Sequence, residues 1–213
     1  MKELNIACKI RVKRYKSYKG EQGLIVKNLL LTKTVDKLNH KTYYIRDFNT
    51  NRPNQKWVTD ITEFKVCGKK IYLSPLIDVF DKTILSYQIS FTPNIKPVIT
   101  MLEEAIKNHR PKKLIIHSDQ GYQYQHKTFQ NILKKHNIKQ SMSRKGNCYD
   151  NSIAENFFGI LKSEFYYTEN FFSVDEFITK LKEYIDYYCN ERISIKLKGM
   201  TPNKFRESHL SIS

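Results

Sequence analysis

The chain has 213 residues, of which 40% are hydrophobic and 13% aromatic, so it can bury a core and is not disordered throughout. Its 37 lysines and arginines outnumber its 21 aspartates and glutamates, and the formal net charge of +16 indicates a polyanionic partner. No apolar run approaches the roughly 18 residues of a membrane span. The four cysteines form no CxxC pair, which argues against structural zinc, and without a signal peptide they predict a reducing, cytoplasmic location.

Most of the basic excess lies near the N-terminus, where residues 1–56 hold 14 lysines and arginines against 4 acidic residues. Residues 9–20, KIRVKRYKSYKG, fit either a solvated tail or an arm that contacts phosphates, and we favour phosphate contact. The apolar residues 23–31, GLIVKNLLL, are predicted to pack on the main body of the protein.

A polar segment with Pro53, residues 47–56, has the composition of a linker. It predicts a division of the chain into a basic N-terminal region, residues 1–50, and one main domain, residues 51–210. The composition changes at this point from polar and basic to rich in β-branched and aromatic residues, which is typical of strands.

The main domain reads as strands followed by alternating helices and strands. In chain order we predict three strands in WVTDITEFKV, KIYLSPLIDVF and TILSYQIS, a helix at residues 95–108, a strand in LIIHS, a helix at 126–136, a strand in IKQSMS, a helix at 150–165 and a last helix at 174–189. This order predicts the α/β class, with a mixed five-stranded sheet flanked by helices and a helical C-terminal tail. It is the element order of the ribonuclease H-like fold.

Three acidic residues stand out along this order. Asp60 interrupts a β-prone run, where aspartate is disfavoured, although an exposed edge position would also explain it. Asp119 directly follows the buried strand LIIHS; an aspartate that opens a turn is common, but sites in α/β sheets form outside the carboxyl ends of strands. Glu155 lies on a helix face with Asn151 and Lys162, opposite the apolar stripe, where a solvated glutamate is the ordinary alternative.

The surrounding motifs carry a family resemblance. TDIT at Asp60, HSDQGYQY at Asp119 and GNCYDNSIAENFF...LKSE at Glu155, with thirty-five residues between the second and third acids, resemble the DDE transposase and retroviral integrase superfamily. More narrowly, they look like the transposases of IS-three type insertion sequences, whose catalytic protein is made from a second reading frame. The tail YYCNERISIKLKGMTPNKFRE is similar to the closing signature of that group.

The resemblance implies a metal-dependent enzyme that acts on DNA. Asp60, Asp119 and Glu155 would be both the catalytic residues and the ligands of two Mg²⁺ or Mn²⁺ ions, because hard carboxylate oxygens suit these cations. The substrates would be the ends of an insertion sequence and the target DNA, joined in a synaptic complex of several copies at the bacterial nucleoid. Full-length members carry an upstream helix-turn-helix region, so a protein from an upstream frame is an expected partner.

The resemblance also implies DNA contacts around Glu155. The family has a basic residue at the position of Lys162, two helical turns after Glu155 on the same face. The loop and helix start before Glu155 supply further candidates, and the tail motif supplies one that could instead brace the fold. The expected DNA-contacting residues are Lys162, Arg144, Lys145, Asn147, Tyr149, Asn151 and Arg192.

Other polar residues are assigned structural roles. His117 and Cys148 are treated as structural, and Asp78 and Asp81 are expected to serve turns. Glu164 is expected to be an ordinary solvated helix residue. Residues 31–46, LTKTVDKLNHKTYYIR, do not fit the pattern of the group and are interpreted as an insertion.

Two alternatives stay open from the sequence. One is a ribonuclease H-like nuclease, against which the GNCYDNS lead-in to the Glu155 helix argues. The other is an inactive, truncated DNA-binding remnant that inhibits transposition.

Overall fold

The structure, a computed structural model, describes residues 23–35 and 42–210. The basic segment at residues 9–20, for which phosphate contact was predicted, lies outside the described residues. Within the described part, no helix is long and apolar enough to cross a membrane.

The centre of the fold is a mixed sheet built from six strand segments. They are β3 (Lys56–Thr59), β4 (Thr62–Val66), β5 (Lys69–Asp78), β6 (Ile84–Ser90), β7 (Ile115–Ser118) and β8 (Lys139–Met142), after a separate hairpin of β1 (Leu31–Val35) and β2 (Thr42–Arg46). The long β5 pairs antiparallel with β6 and with β3 and β4. The strands β3, β7 and β8 run parallel to one another. The predicted fold class is confirmed.

The expected first strand is broken in two, which corrects the prediction of one continuous strand in WVTDITEFKV. Both β3 and β4 pair with β5, but Asp60 and Ile61 between them leave the ladder. The Asp60 carboxylate accepts the backbone N–H of Ile61 at 2.8 Å. This local bond competes with the ladder, which is why aspartate disfavours strand interiors.

Helices cover both faces of the sheet. They are α1 (Ile95–His109), the short α2 (Tyr122–Gln125), α3 (Lys127–Lys135), α4 (Ser152–Leu161), α5 (Val174–Asn190) and α6 (Pro202–Leu210). One core contains Val58 and Phe64 of the sheet with residues of α4 and α5. The other contains Trp57 and Ile116 with residues of α1 and α3. Neighbours Trp57 and Val58 therefore face opposite cores, as the period of two in a strand requires.

The predicted helix at residues 150–165 has a more complex form than one α-helix. A 3-10 turn, Cys148–Asn151, precedes α4, and a π-helical turn, Lys162–Tyr166, follows it. The predicted last helix at 174–189 is confirmed as α5, which begins after the N-cap Ser173.

The segment at residues 23–31 packs on the body only in part, which corrects the prediction for GLIVKNLLL. Leu30 is buried, but Leu24, Ile25 and Leu29 are exposed. One attachment uses the backbone: the side chain of Gln130 donates to the Leu24 carbonyl at 2.8 Å.

Candidate active site

The fold brings the two predicted aspartates to the same edge of the sheet. The parallel strands β3 and β7 pair with Val58 opposite His117. Asp60 and Asp119 each follow these partners by two residues, just beyond the carboxyl ends of their strands. Both aspartates are partly buried. This is the place where α/β sheets form their sites.

The charges of Asp119 and Glu155 both act on Asp60. Burial raises the pKa of Asp60 well above its ordinary value, and the charges of Asp119 and, to a smaller extent, Glu155 raise it further. Burial also raises the pKa of Asp119 and, at its more exposed position, that of Glu155. Lys162 opposes the effect on Asp60 by its positive charge. The site therefore concentrates negative charge and contains one nearby cation of its own.

The Asp119 carboxylate is held by the backbone of the next turn. The N–H of Gly121 donates to Asp119 Oδ1 at 2.8 Å. A Cβ atom at Gly121 would also lie 2.8 Å from that oxygen, closer than carbon and oxygen pack. The absence of a side chain at Gly121 is thus a condition for the position of Asp119.

The start of α4 is tied to the strand that carries Asp60. Asn151 is buried, and its side-chain Nδ2 donates to the carbonyl of Thr59 at 3.3 Å. Glu155, one turn later, is exposed, and Lys162 is half-buried with its Nζ 5.6 Å from the centre of the Phe64 ring. The predicted common face of Asn151, Glu155 and Lys162 is therefore directed at the edge where Asp60 lies.

A buried hydroxyl pair lies behind the two aspartates. The Thr59 hydroxyl donates to the Pro75 carbonyl at 2.9 Å and lies 3.2 Å from the Tyr124 hydroxyl. Burial raises the pKa of Tyr124, and the charges of Asp60 and Asp119 add to the effect. Sequence reasoning singles out none of Thr59, Gly121 and Tyr124. The signal available was their place inside TDIT and HSDQGYQY.

Asp150 is a further residue that sequence reasoning missed, because in the sequence it looks like one more polar residue of the loop. Its side chain is fully buried and accepts from Arg144 Nε at 2.9 Å and Arg46 Nε at 2.8 Å. Burial alone would raise the pKa of Asp150, but the hydrogen bonds from Arg144 and Arg46 lower it to about 2. Asp150 thus joins the N-terminal hairpin to the loop that leads into α4.

The residues before Glu155 that are expected to contact DNA differ in how far their side chains are held by the protein. Arg144 is bound to Asp150, and its guanidinium carbon lies 4.2 Å from the centre of the Tyr44 ring. Lys145 and Tyr149 are exposed, and Asn147 is partly exposed. Lys145 and Tyr149 therefore have freer side chains than Arg144.

Arg192 has a partner within the protein. It binds Glu164 through two nitrogens, Nε at 2.8 Å and a terminal nitrogen at 2.6 Å. Tyr184 donates to the same carboxylate at 2.8 Å. The prediction that Glu164 is an ordinary solvated residue is therefore wrong. Of the two roles considered for Arg192, DNA contact and bracing of the fold, the contacts with Glu164 support bracing.

Three of the residues assigned structural roles, His117, Asp78 and Asp81, have internal partners. His117 is buried with Nδ1 2.8 Å from the Ser141 hydroxyl, and burial lowers the pKa of His117 to about 4. Asp78 and Asp81 accept backbone N–H groups of their turns, as predicted. Sequence reasoning missed their buried partner Arg206, which lies at 3.0 Å and 2.7 Å from them.

Comparisons with known proteins decide the family. Two family models, both described as integrase core domain, match residues 50–148 and 155–210. The chain is 48% identical over 207 residues to InsK of Escherichia coli K12, which is named as a transposase of insertion sequence element IS150. It is 33% identical over 168 residues to the transposase InsF of IS3A in the same organism. The chain belongs to the IS3-type DDE transposases. The match to InsK covers 97% of this transposase chain and 68% of InsK. The match to InsF covers 58% of InsF.

Solved structures share the fold of this transposase at low sequence identity. A chain of the simian T-cell lymphotropic virus intasome has a TM-score of 0.64 at 17% identity, covering 88% of this chain and 60% of that chain. The HTLV-2 integrase catalytic core in complex with magnesium has a TM-score of 0.59 at 19% identity, covering 73% and 97%. These neighbours show the integrase-core, ribonuclease H-like fold. Family membership makes the protein a DDE-type polynucleotidyl transferase.

The three predicted metal ligands do not form a closed group. Among residues 23–35 and 42–210, no three histidine, cysteine, aspartate or glutamate side chains are close enough together to hold a metal ion. Asp60 interacts with Asp119 and with Glu155 through their charges, and no hydrogen bond or ion pair within the described residues holds the Glu155 carboxylate.

Proposed function

We propose that this transposase cleaves and transfers DNA strands at the ends of an insertion sequence, with Asp60, Asp119 and Glu155 as its catalytic carboxylates. What supports the proposal is one arrangement. Two aspartates lie at the coincident ends of neighbouring parallel strands, and the charges of Glu155 and Lys162 both act on Asp60. Such an excess of carboxylate charge is relieved by binding a cation.

The proposed ligands fit a hard divalent cation in chemistry. All three donate carboxylate oxygens, the type that Mg²⁺ and Mn²⁺ take. A solved neighbour of the same fold, the HTLV-2 integrase core, is in complex with magnesium, which supports Mg²⁺ as the first ion to test. We propose two ions, which when bound would activate the attacking oxygen and stabilise the leaving one.

Residues of the protein itself hold the catalytic carboxylates in position and neutralise the negative charge of the DNA end. The Gly121 N–H orients one oxygen of Asp119, and Asn151 fixes the start of α4 relative to the strand end before Asp60. The exposed side chain of Glu155 is free to turn toward the two aspartates. Lys162 on the same face would contact a phosphate of the DNA end, and its Nζ lies 5.6 Å from the centre of the Phe64 ring.

The partners follow from charge and family. The net charge of +16 supports DNA as the polyanion, both as element ends and as target. The proposed DNA-contacting residues are Lys162, Arg144, Lys145, Asn147 and Tyr149. Of the other two predicted contacts, Asn151 is buried against the Thr59 carbonyl and Arg192 is bound to Glu164, so we propose that they position the contacting residues. We further propose that copies self-associate in a synaptic complex at the bacterial nucleoid, that an upstream-frame helix-turn-helix protein assists, and that residues 1–50 form a basic region ahead of a catalytic core at 51–210.

The test is metal-dependent nicking and strand joining on plasmid DNA with Mn²⁺ or Mg²⁺. We expect Asp60→Asn, Asp119→Asn and Glu155→Gln each to lower strand cleavage by about three orders of magnitude or more while DNA binding is retained. The matched control is Glu164→Gln, since Glu164 follows on the same helix but is paired with Arg192. Normal cleavage by any of the three variants would overturn the assignment, and hydrolysis without joining would overturn the transfer step.

A further inference from the structure

The hairpin of β1 and β2 is an unusual addition to the main fold. Its register pairs Leu31 with Arg46 at the base and Val35 with Thr42 at the far end. Of its ten strand residues, eight are exposed, and the other two, Leu31 and Arg46, are at the base. A two-stranded hairpin with little buried surface is at best marginally stable in water. A structure of this kind therefore needs either an anchor or a binding partner.

The anchor is at the base, beside the proposed catalytic helix. Arg46 binds the buried Asp150 at 2.8 Å, and Asp150 lies five residues before Glu155. Asn28 Nδ2 donates to the other carboxylate oxygen of Asp150 at 3.3 Å. Arg144 lies over Tyr44 and binds Asp150 as well. The hairpin is thus fixed to the loop that leads into α4, close to where a DNA strand must approach Glu155.

The two faces of the hairpin differ. Alternation along the strands places Tyr44 and Arg46, which contact the body, on one face. The other face carries Thr32 and Thr34 opposite Ile45 and Tyr43. We call these four residues the outer face of the hairpin. All four are exposed, with Tyr43 at 49% and Ile45 at 57%.

We propose that the outer face of the hairpin binds DNA as a two-stranded ribbon beside the active site. A two-stranded β-ribbon fits the major groove, and threonine and tyrosine hydroxyls are common donors to phosphates. The net charge of +16 of the whole chain favours a polyanion, and Lys33 lies between Thr32 and Thr34 on the same strand, on the other face of the hairpin. Two apolar side chains among threonines are too few for a stable protein interface, which buries about 1,000 Å² or more. The inference rests on the proposed function only in taking DNA as the substrate.

The decisive experiment compares two matched charge insertions on the same hairpin. Thr34→Glu places a carboxylate on the outer face, and Thr42→Glu places one on the opposite face at an equally exposed threonine. Binding of the full chain to a short, fluorescein-labelled duplex of mixed sequence is measured by anisotropy without divalent metal, over a series of salt concentrations. We expect Thr34→Glu to weaken binding about tenfold and Thr42→Glu to weaken it about twofold or less.

A second pair tests the aromatic contact without changing charge. Tyr43→Ala is compared with Tyr187→Ala, since Tyr187 is a similarly exposed tyrosine on α5, at 43%. We expect Tyr43→Ala to weaken DNA binding severalfold with little change in its salt dependence, and Tyr187→Ala to leave binding unchanged. Circular dichroism and thermal melting confirm that each variant is folded.

Three outcomes would overturn the inference. Equal losses in Thr34→Glu and Thr42→Glu would show a general charge effect with no contact at the outer face. Unchanged DNA binding with a lower oligomeric state in sedimentation would assign the face to a second copy of the chain. Unchanged binding and unchanged assembly would leave the outer face without this role. The binding assay contains no metal and does not depend on cleavage. Failure to cleave DNA in the separate assay with Mn²⁺ or Mg²⁺ would contradict the proposed catalysis but would not affect the binding result for the hairpin.

Discussion

Two pairs of aspartates in this protein show opposite ways of handling negative charge. Asp78 and Asp81 are fully buried, and Arg206 from α6 binds both. Asp60 and Asp119 are partly buried, and neither has a salt bridge within the described residues. Burial and the charge of Asp78 raise the pKa of Asp81 to about 6, and Arg206 lowers it, so the protein itself neutralises the first pair in part. The second pair is left with excess charge, which is what a site for a metal ion requires and what a purely structural site avoids.

The largest expected effect is on the neutralised pair. Arg206→Leu leaves two buried carboxylates without their partner, and we expect it to lower the free energy of unfolding by about 3–5 kcal/mol. Urea denaturation measures this change. The control Arg192→Leu breaks the pair with the more exposed Glu164 and should cost about 1 kcal/mol or less. If both variants were equally destabilised, the burial of the first pair would not explain its role.

A smaller effect, on DNA cleavage, is expected from a change at Gly121, which holds Asp119 of the unneutralised pair in position. In Gly121→Ala the new Cβ meets Asp119 Oδ1, and we expect cleavage to fall by about tenfold to a hundredfold, with more Mg²⁺ needed for half-maximal activity. The Gly121 backbone, with φ −60° and ψ 146°, accepts alanine, so the fold should survive. Gly159→Ala has open space and should leave stability equal or raised by up to about 1 kcal/mol. An unchanged Mg²⁺ requirement in Gly121→Ala would contradict a positioning role.

Asp150 extends the comparison to a carboxylate neutralised by two arginines. Its folded pKa of about 2 is below the ordinary value near 3.9, so its stabilisation is fully present above that ordinary value. The stabilisation is lost as the pH falls toward 2. We expect Asp150→Asn to cost about 1–3 kcal/mol at neutral pH, and the gap to the unmodified protein to close between about pH 4 and pH 2. Thermal melts of both proteins across this range measure the gap; a constant gap would contradict the prediction.

The smallest expected effect is a gain in stability, not a loss. Asp60→Asn relieves repulsion with Asp119 and retains the bond to the Ile61 N–H, so the metal-free protein should gain about 1 kcal/mol of stability. The variant should also lose the rise in melting temperature that Mg²⁺ or Mn²⁺ causes in the unmodified protein. The matched change in the other pair, Asp78→Asn, should lower stability. A loss of stability in both would remove the distinction between the pairs.

Much of the fold follows from local sequence pattern. Alternating apolar residues predict the strands, and the stripe at helical spacing predicts α1 and α5. The break at Asp60 was not predicted, since it depends on β5 pairing with both halves of a strand that looks continuous. The motifs and their spacing predict that Asp60 and Asp119 belong to one site, but they do not predict how the two carboxylates are placed relative to each other.

The sequence alone determined the alternation of strands and helices in the main domain, the position of the acidic motifs and the basic character of the chain, because each depends on residue type and short-range periodicity. Only the tertiary structure decided which aspartates are neutralised. Arg206 lies 125 residues from Asp81, and Arg46 lies 104 from Asp150. No local pattern carries such pairings, since they form only when distant elements pack together. The same holds for Asp60 and Asp119, which the parallel register of β3 and β7 brings to one edge.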